Sequence, residues 1–450
     1  MEDQSSPSVL ERINTWFRTS VTLKLFIICF LVLIMLIPAT MIKGIITERQ
    51  YLNQQTTNEV SSNWASEQEL LGPIITIPFI TERTMNGQVQ YETEYFHVLP
   101  HELKVNGSVN PTELKRGIYK VIVYEAALDI SGTFDLAKQM DLNAHGRPDW
   151  NNAFMTIGIS DMRGIKNQFI INLNDKPHDV VAGTRSNDMA GSGVNLSLEG
   201  LSDSTQRQIK FNYKLDLQGS NNLSFIPVGN STEIELRSAW NDPSFKGTFL
   251  PDERTVDEQG FTAKWNILQL NRNYPQVWSG DSYIEQMRDS SFGVDLIQSL
   301  DDYQKSMRSV KYAILTIALT FLVFFLVEIM NGKRIHPFQY ILVGLALCLF
   351  YVLLVSISEQ MDFNTAYIIS ASAIVVMITL YSRSVFATAK LSFILCAVLV
   401  ALYSFLFVTL QMSDYALLMG SIGLTIMLGL AMFLTRKIDW YNVRKKTVND

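Results

Sequence analysis

Cysteine is scarce in this chain and absent from its largest polar segment. The 450 residues include three cysteines, Cys29, Cys348 and Cys396, and each lies in an apolar run. A disulfide framework in the polar segment is therefore excluded, as is a CxxC metal or redox pair. If that segment lies in an oxidising compartment, its own hydrophobic core must hold it together.

Charged residues are also few, and they are distributed unevenly. They make up 18% of the chain, against about 25% in soluble domains. Residues 50–309 are polar, whereas most of the remainder is apolar, which indicates a membrane protein with one large domain outside the bilayer. The net charge is −6 and no basic stripe interleaved with aromatic residues occurs. Nucleic acid is therefore not an expected partner.

Six apolar segments have about the 20 residues that cross a bilayer as a helix. One is N-terminal and five are C-terminal: Leu25–Ile42, Tyr312–Met330, Tyr340–Ile357, Thr365–Tyr381, Leu391–Leu410 and Tyr415–Thr435. The first is longer than the apolar core of a signal peptide and no A-x-A site follows it, so we expect an uncleaved anchor. Before it, residues 1–24 form a lead-in that is either an amphipathic surface helix or disordered.

Lysine and arginine concentrate in alternate loops of the apolar part. The segments 331–339, 382–390 and 436–450 contain these residues, whereas the loops 358–364 and 411–414 contain none. Because basic loops stay in the cytoplasm, this pattern places both termini there, the tail 436–450 included. The domain 43–309 then lies outside the cytoplasm, and the five-helix unit 310–435 lies in the lipid bilayer.

The large polar segment alternates apolar and polar residues with period two. The run "PIITIPFITERTMNGQVQYETEYFHVL" holds two such stretches around Asn86-Gly87, a pattern typical of a β-hairpin. Similar runs recur as far as Trp278, which predicts an antiparallel, sandwich-like β domain between helices 1 and 2. After Gly280 the alternation is lost, which predicts a helical or irregular connector. The predicted fold is thus an α+β membrane protein with six transmembrane helices.

The sequence contains no recognisable catalytic or metal-binding motif. Neither a G-x-S-x-G elbow nor a P-loop occurs, and "HELKV" lacks the second histidine of a zinc-protease motif. In "SDMRG", Ser160–Gly164, an acid–base pair is one interpretation. We favour a turn in which Asp161 binds backbone amides and Gly164 takes an unusual φ. We expect no enzymatic activity and no cofactor.

The aromatic run "WNDPSFKGTFLP", residues 240–251, also has two interpretations. It combines a tryptophan, two prolines, a glycine and two phenylalanines. These residues suit an exposed aromatic binding loop. A buried corner between β layers is the interpretation that we favour, because such corners combine turn residues with large apolar anchors.

The candidate functional cluster lies at the edge of the second apolar segment. Glu328 is an ionisable residue within that segment, and such residues are functional candidates by default. We expect it to pin a cytoplasmic hairpin, near Gln339 and Tyr340, with a proton-carrying role as the alternative. The residues of this cluster are Glu328, Lys333, Arg334, His336 and Pro337.

Six long motifs follow one another between Leu25 and Tyr441. They are "LLGPIITIP", "SDMRGI", "LSFIPVGNSTEIELRSAWNDPSFKGTFLPDERTVDEQGFTAKW", "KYAILTIALTFLVFFLVE", "RIHPFQYILVGLALCLFYVLLVSISE" and "RKIDWY". Together they resemble the CreD inner-membrane proteins, also called cell envelope integrity proteins. The resemblance implies a Gram-negative inner-membrane protein produced under a Cre-type two-component system. It also implies an association with envelope stress, the β-lactam response and colicin tolerance. It supplies no reaction, ligand or catalytic residue.

The resemblance and the residues together favour a non-enzymatic inner-membrane protein. It would support envelope integrity or the envelope-stress response, and its periplasmic β domain would bind or sense a periplasmic protein or an envelope component. The alternative is a transporter of a small solute or lipid with an accessory periplasmic domain. A polar cavity among the last five helices would favour transport. A convergent carboxylate or Ser/His cluster in the β domain would indicate an enzyme.

The predicted topology can be tested in spheroplasts, from which the outer membrane has been removed. Protease added outside should degrade the segment 50–309 and leave the C-terminal tail protected, because only the former is expected outside the cytoplasm. Immunoblotting with tags at position 200 and at the C-terminus would show this. Protection of the internal tag, with a cleaved periplasmic control protein in the same sample, would contradict the topology.

Overall fold

The computed structural model describes residues 21–85, 88–136, 147–186, 188–198, 208–296, 301–331, 335–412 and 415–436. The chain divides into two compact units. A helical unit falls within Met1–Leu52 and Ser299–Asp450, and a β unit falls within Asn53–Gln298. The predicted lead-in before Val21, the turn Asn86-Gly87 and most of the basic tail lie outside the described residues.

Each predicted apolar segment coincides with a helix. The long helices are α1 (Val21–Trp64), α3 (Asp301–Lys311), α4 (Ala313–Met330), α5 (Pro337–Ser358), α6 (Phe363–Phe386), α7 (Ala389–Gln411) and α8 (Ala416–Thr435); the short helix α2 (Ile284–Asp289) belongs to the β unit. Four of them, α1, α5, α6 and α7, are long and apolar enough to cross a membrane within the described residues, and α3 with α4, bent by 43°, would make a fifth. The structure thus supports four or five of the six predicted spans.

Helix α1 is much longer than the predicted span Leu25–Ile42. It has 44 residues and ends at Trp64, so at about 1.5 Å per residue it is about 66 Å long. The hydrocarbon core of a bilayer is about 30 Å thick. Roughly half of α1 is therefore outside any apolar layer, and its polar second half was not predicted as helix.

The β unit consists of two sheets. Its strands are β1 (Gln68–Met85), β2 (Gln88–Val98), β3 (Glu102–Arg116), β4 (Tyr119–Asp135), β5 (Arg147–Pro148), β6 (Phe154–Ile159), β7 (Ile170–Leu173), β8 (Lys176–Asp179), β9 (Val181–Ala182), β10 (Gly193–Ser197), β11 (Gln208–Ser220), β12 (Asn222–Ile226), β13 (Ser231–Ser238), β14 (Ser244–Gly247), β15 (Glu253–Asp257), β16 (Gly260–Leu268), β17 (Val277–Ser279) and β18 (Phe292–Asp295). A ten-stranded sheet has the order β14-β18-β12-β1-β6-β10-β9, with β2, β5 and β17 attached. An eight-stranded sheet has the order β15-β16-β13-β3-β4-β11-β7-β8.

The predicted hairpin and the period-two strands are confirmed. Strands β1 and β2 form an antiparallel pair that begins with Met85 opposite Gln88, next to the turn. Along β3 and β11, exposed and buried residues alternate. Two details differ from the prediction. The pairs β1–β12 and β3–β13 are parallel, so the sheets are not purely antiparallel. The predicted connector after Gly280 contains strand β18, whose four residues are all buried and therefore show no alternation.

Aromatic side chains join the two sheets in one hydrophobic core. The fully buried Trp265 on β16 contacts Phe292 on β18 of the other sheet, with ring centroids 5.7 Å apart. Phe245 and Phe249 of the "WNDPSFKGTFLP" run pack partly buried against this core; Phe245 lies 5.8 Å from the Trp265 ring and Phe249 6.0 Å from Phe292. The aromatic side chains of this run are thus partly buried, as a corner requires, but most of its other residues are exposed, Leu250 among them, so the interpretation as a buried corner holds for the aromatic anchors alone.

The "SDMRG" motif forms a 3₁₀ turn over Met162–Gly164. Asp161 accepts hydrogen bonds from the backbone amides of Ser66 (2.9 Å) and Arg163 (3.1 Å), which confirms its predicted role. The prediction for Gly164 was wrong, because its φ is not among the positive values. Glycine is needed there for space, since a Cβ would lie 2.4 Å from the backbone carbonyl oxygen of Gln218.

His97 is buried in the β unit beside β1. Its Nδ1 shares a hydrogen bond of 3.0 Å with the Thr76 hydroxyl, and its Nε2 lies 3.7 Å from Asp188 Oδ2. Burial lowers the pKa of His97 from 6.5 to about 4, although the nearby Asp188 carboxylate acts in the opposite direction. At a pH between these two pKa values, His97 carries a proton in the unfolded chain but not in the folded chain.

We expect His97 to make the β unit less stable as the pH falls. With a folded pKa near 4 and an unfolded pKa near 6.5, its contribution decreases by about 2 kcal/mol between pH 7 and pH 5. Urea unfolding of the detergent-solubilised chain, followed by tryptophan fluorescence, would measure this change. His97→Gln should flatten this dependence relative to wild type and to the control His178→Gln. An unchanged pH dependence in His97→Gln would refute the assignment.

Candidate functional site

Glu328 is buried near the end of α4, with 4% of its side chain exposed. The Lys24 ammonium donates to its Oε1 at 2.6 Å, and the Tyr340 hydroxyl donates to its Oε2 at 3.2 Å. Lys24 lies in the first turns of α1 and Tyr340 in the first turn of α5. The predicted approach of Glu328 to Tyr340 is confirmed, and the carboxylate has both a cation and a neutral donor.

His336 and Pro337 position Tyr340 by starting α5. His336 is the N-cap: its Nδ1 accepts from the Phe338 amide at 3.2 Å, and its own amide donates to Gln339 Oε1 at 3.0 Å. Pro337 follows as the first helical residue, where its missing amide proton costs nothing. The other two predicted members, Lys333 and Arg334, lie outside the described residues.

Aromatic rings pack around Tyr340, the residue that donates to Glu328. The Tyr340 ring lies 5.4 Å from Phe321 and 5.9 Å from Phe324, and Phe324 in turn lies 5.1 Å from Phe386 on α6. Because the Glu328 side chain is almost fully removed from water, its attraction to Lys24 is strengthened and removing that lysine costs more. The site therefore connects α1, α4 and α5 in a way that depends on paired charges.

A second carboxylate binds α1 farther along the helix. Glu359, which follows α5, lies 3.8 Å from Arg49 and accepts a hydrogen bond of 3.2 Å from the Tyr303 hydroxyl. Lys24 and Arg49 are 25 residues apart, which is about 38 Å along a helix. This distance slightly exceeds the thickness of about 30 Å of a bilayer core. The membrane-length part of α1 thus has an ion pair at each end, each made with a carboxylate that also accepts from a tyrosine.

Sequence reasoning missed Lys24 because it immediately precedes the first apolar segment. It falls in the lead-in 1–24, whereas the cations expected near Glu328 were Lys333 and Arg334 of the loop that follows it. Lys24 lies at the start of α1 and Glu328 near the end of α4. If α1 and α4 cross the membrane in opposite directions, the start of α1 and the end of α4 lie at the same depth in the bilayer. Comparing distances from the ends of the spans would have identified the pair.

The β unit carries a second candidate site, a polar cleft of about 430 Å³ over the ten-stranded sheet. Its residues come from the adjacent strands β14, β18, β12 and β1 and from the segments beside them. The polar cleft is lined by Glu67, Gln68, Glu69, Ser160, Asn222, Ser224, Lys246, Gly247, Ser291, Phe292 and Gly293.

Strand register explains why these polar side chains meet. Glu69 pairs with Ser224, Ser224 with Gly293 and Gly293 with Lys246, so one row crosses four strands. Paired residues share a face of a sheet. The row is therefore polar on one face, while neighbouring residues such as Leu70 and Phe292 are buried in the core.

Hydrogen bonds fix several groups of the polar cleft. The Ser291 hydroxyl donates to Glu69 Oε2 at 2.7 Å. Asp295, which is 7% exposed, accepts from Asn222 Nδ2 at 2.6 Å and forms an ion pair with Lys246. The Glu67 side chain makes neither a hydrogen bond nor an ion pair with any of the described side chains. Burial and the neighbouring Asp295 raise the pKa of Glu67, and Lys246 lowers it in part.

The "SDMRG" turn supports the edge of the polar cleft. Gln68 Nε2 donates to the Asp161 and Gln218 carbonyl oxygens at 3.0 Å each, and the Ser160 hydroxyl donates to the Glu67 carbonyl oxygen at 2.8 Å. The hydrogen bond from the Arg163 guanidinium holds the pKa of Asp161 far below its usual range. These contacts fix Glu67 and the first residues of β1, which include Glu69.

Removing the cation from the buried pair should destabilise the helical unit. Lys24→Met leaves the Glu328 carboxylate unneutralised. We expect a loss of about 3 kcal/mol, at the low end of the range for broken buried pairs because Lys24 is partly exposed. Glu328→Gln should cost less, because an amide oxygen can still accept from Tyr340. The double variant Lys24→Met/Glu328→Gln should recover most of the loss, because it leaves no buried charge.

Thermal unfolding in detergent, followed by circular dichroism at 222 nm, would measure this double-mutant cycle. Lys43→Met, an exposed residue of the same helix, is the matched control. Additive losses in the double variant would disprove the coupling. Wild-type stability in all variants, together with a common loss of cellular function, would instead indicate that Glu328 carries a proton.

Comparison with known proteins gives a consistent result. Residues 20–441 match the family model described as "Inner membrane protein CreD". The chain is 34% identical over 419 residues to the inner membrane protein CreD of Escherichia coli (strain K12), and the match covers 91% of each chain. The match includes every element that positions the ion pair and the polar cleft. The chain therefore belongs to the CreD family of inner membrane proteins.

Proposed function

We propose that this chain is a non-enzymatic inner-membrane protein that supports cell envelope integrity or the envelope-stress response. Its β unit, on the periplasmic side, acts as a binding or sensing module for an envelope component or a periplasmic protein. The observation that carries this proposal is the polar cleft, because it gathers hydrogen-bonding side chains from four strands in a concave site of ligand size. Both termini are cytoplasmic, as the distribution of lysine and arginine indicates.

The chemistry of the polar cleft supports binding rather than catalysis. The Ser291 hydroxyl donates to Glu69, but the lining residues include no histidine that could serve as a base. Lys246 is paired with Asp295. Glu69 lies on β1 and Glu67 immediately precedes that strand, and Glu67 is exposed, whereas a catalytic carboxylate pair works best where water is excluded. These groups suit the recognition of a ligand.

The helical unit supports an anchoring role. Within its described part, Glu328 is the only buried acidic or basic side chain, and it is neutralised by Lys24. A groove of about 390 Å³ between α1 and α4 is lined by Leu25, Ile28, Cys29, Val32, Leu33, Ala318, Leu322 and Phe325. This lining does not suit a polar solute. If the protein is a transporter instead, a lipid is the cargo that the groove fits.

The proposal can be tested by filling the polar cleft. Ser224→Trp places a large ring in the middle of the polar row, so it should abolish the ability of the protein to restore envelope integrity in a strain that lacks it. Ser108→Trp, on the exposed face of β3 in the other sheet, is the matched control and should remain active. Sensitivity to detergent and to β-lactams would be the readout, at equal protein abundance. Full complementation by Ser224→Trp would refute a binding role for the cleft.

A further inference from the structure

The last turn of α1 belongs to the β unit, and two side chains of that unit cap it. The Arg163 guanidinium donates to the Ser62 carbonyl oxygen, and Gln218 Nε2 donates to the Trp64 carbonyl oxygen at 3.1 Å. The last carbonyl groups of a helix have no partner within the helix, so both contacts satisfy groups that α1 cannot. Ala65, the next residue, is fully buried. The end of α1 is therefore fixed within the β unit.

The wall of the polar cleft is held by the same part of the chain. Gln68 is fully buried, and its Nε2 donates to the Asp161 and Gln218 carbonyl oxygens at 3.0 Å each. Its Oε1 accepts from the Asp161 amide at 3.3 Å. On the cleft side, the Ser224 hydroxyl in the polar row donates to the Gln68 carbonyl oxygen at 3.3 Å. Gln68 thus links the polar row to the "SDMRG" turn.

Asp161 connects the contacts of the cleft wall with those of the helix end. Its carboxylate accepts from the Ser66 amide, directly after α1, at 2.9 Å. It also accepts two hydrogen bonds from the Arg163 side chain, at 2.9 and 2.6 Å, and such a bidentate pair fixes the direction of the guanidinium. The backbone of Asp161 meanwhile holds Gln68. A displacement of Gln68 therefore has to be accommodated by the groups that cap α1, because hydrogen-bonded networks carry coupling between sites.

Beyond this contact, α1 continues as one helix into the helical unit. Between Arg49 and Trp64 it contains neither glycine nor proline, the residues at which helices most often bend sharply. Arg49 pairs with Glu359 in the helical unit. A displacement at Trp64 would thus be passed along about 22 Å of unbroken helix to this ion pair.

We propose that the "SDMRG" turn couples the polar cleft to α1, so that a change at the cleft wall displaces the end of this helix. This inference rests on the sensing role proposed above and names the route by which the state of the cleft leaves the β unit. The route runs from Ser224 through Gln68 and Asp161 to the caps on α1, and each step is a hydrogen bond within the β unit. Arg163 acts as a positioning residue, because it holds the helix end and does not line the cleft.

Hydrogen exchange of the full chain in detergent, measured by mass spectrometry, tests this coupling without a ligand. Ser224→Trp perturbs the cleft, and the amides of residues 60–66 report on the end of α1. We expect these amides to exchange about fivefold faster than in wild type, as for the loss of a helix cap, while β3 keeps its protection. Ser108→Trp in the other sheet should leave them unchanged. Wild-type exchange at residues 60–66 in Ser224→Trp would overturn the proposal.

Arg163→Met tests the route from the side of the helix. It should speed exchange at residues 60–66 and, because coupling between two sites is reciprocal, at β12 by a similar factor. Arg237→Met is the matched control, since Arg237 also pairs with an acidic residue two positions before it, Glu235, but in the other sheet. In the double variant Ser224→Trp/Arg163→Met the two effects at residues 60–66 should not add. Independent, additive effects would contradict a shared route.

Complementation separates this inference from the proposed function. If Ser224→Trp abolishes complementation but leaves residues 60–66 at wild-type rates, the cleft works without α1 and only the coupling is wrong. If Ser224→Trp complements fully although residues 60–66 exchange faster, the coupling stands and the proposed function fails. Arg163→Met, which leaves the cleft lining in place, should also lower complementation, whereas Arg237→Met should not.

Discussion

A charge removed from water must find an opposite charge within the protein, and this constraint organises the helical unit. The Glu328 carboxylate is buried, and its cation comes from Lys24, 304 residues earlier in the chain. Because an unpaired buried carboxylate costs several kcal/mol, the start of α1 must be close to the end of α4. At the other end of the membrane-length part of α1, Arg49 and Glu359 make a looser pair. The first helix is thus an integral member of the bundle rather than a detachable tether.

The β unit is organised instead by backbone pairing between its strands and by burial of apolar side chains. Its strands bury alternate side chains in one core, to which Trp265 and Phe292 contribute from opposite sheets. The opposite face of the ten-stranded sheet is left free for polar groups. There Asp295 and Lys246 form an ion pair, and the Ser291 hydroxyl donates to Glu69. The core determines the shape of the polar cleft, and the charges determine what it can bind.

The sequence was informative wherever the signal is local and periodic. The apolar segments all proved helical, and the hairpin at β1 and β2 was found from alternation and one turn. Strand β18 was missed because its four residues are all buried, so they cannot be distinguished from a helix or a linker by period. The second half of α1 was missed because it is polar and its helical state has no apolar face to reveal it.

The candidate sites were harder to predict because they depend on distant contacts. Glu328 was identified as an exception within an apolar run, and its neighbour Tyr340 follows from a tight turn. Lys24 was not found, because a pair separated by 304 residues leaves no local pattern. The polar cleft gathers Glu69, Ser224 and Lys246 from separate strands, and each is an ordinary solvent-face residue in its own segment. Only the register brings them into one row.

The eight-stranded sheet ends in β15, whose five residues are all exposed. Three of them, Glu253, Arg254 and Asp257, are charged. A strand from another molecule that added to this edge would have to bring its backbone against these charges and strip their water. Growth of the sheet by strand addition is therefore disfavoured at this edge. Crowding of many copies in one membrane therefore does not favour intermolecular pairing through β15.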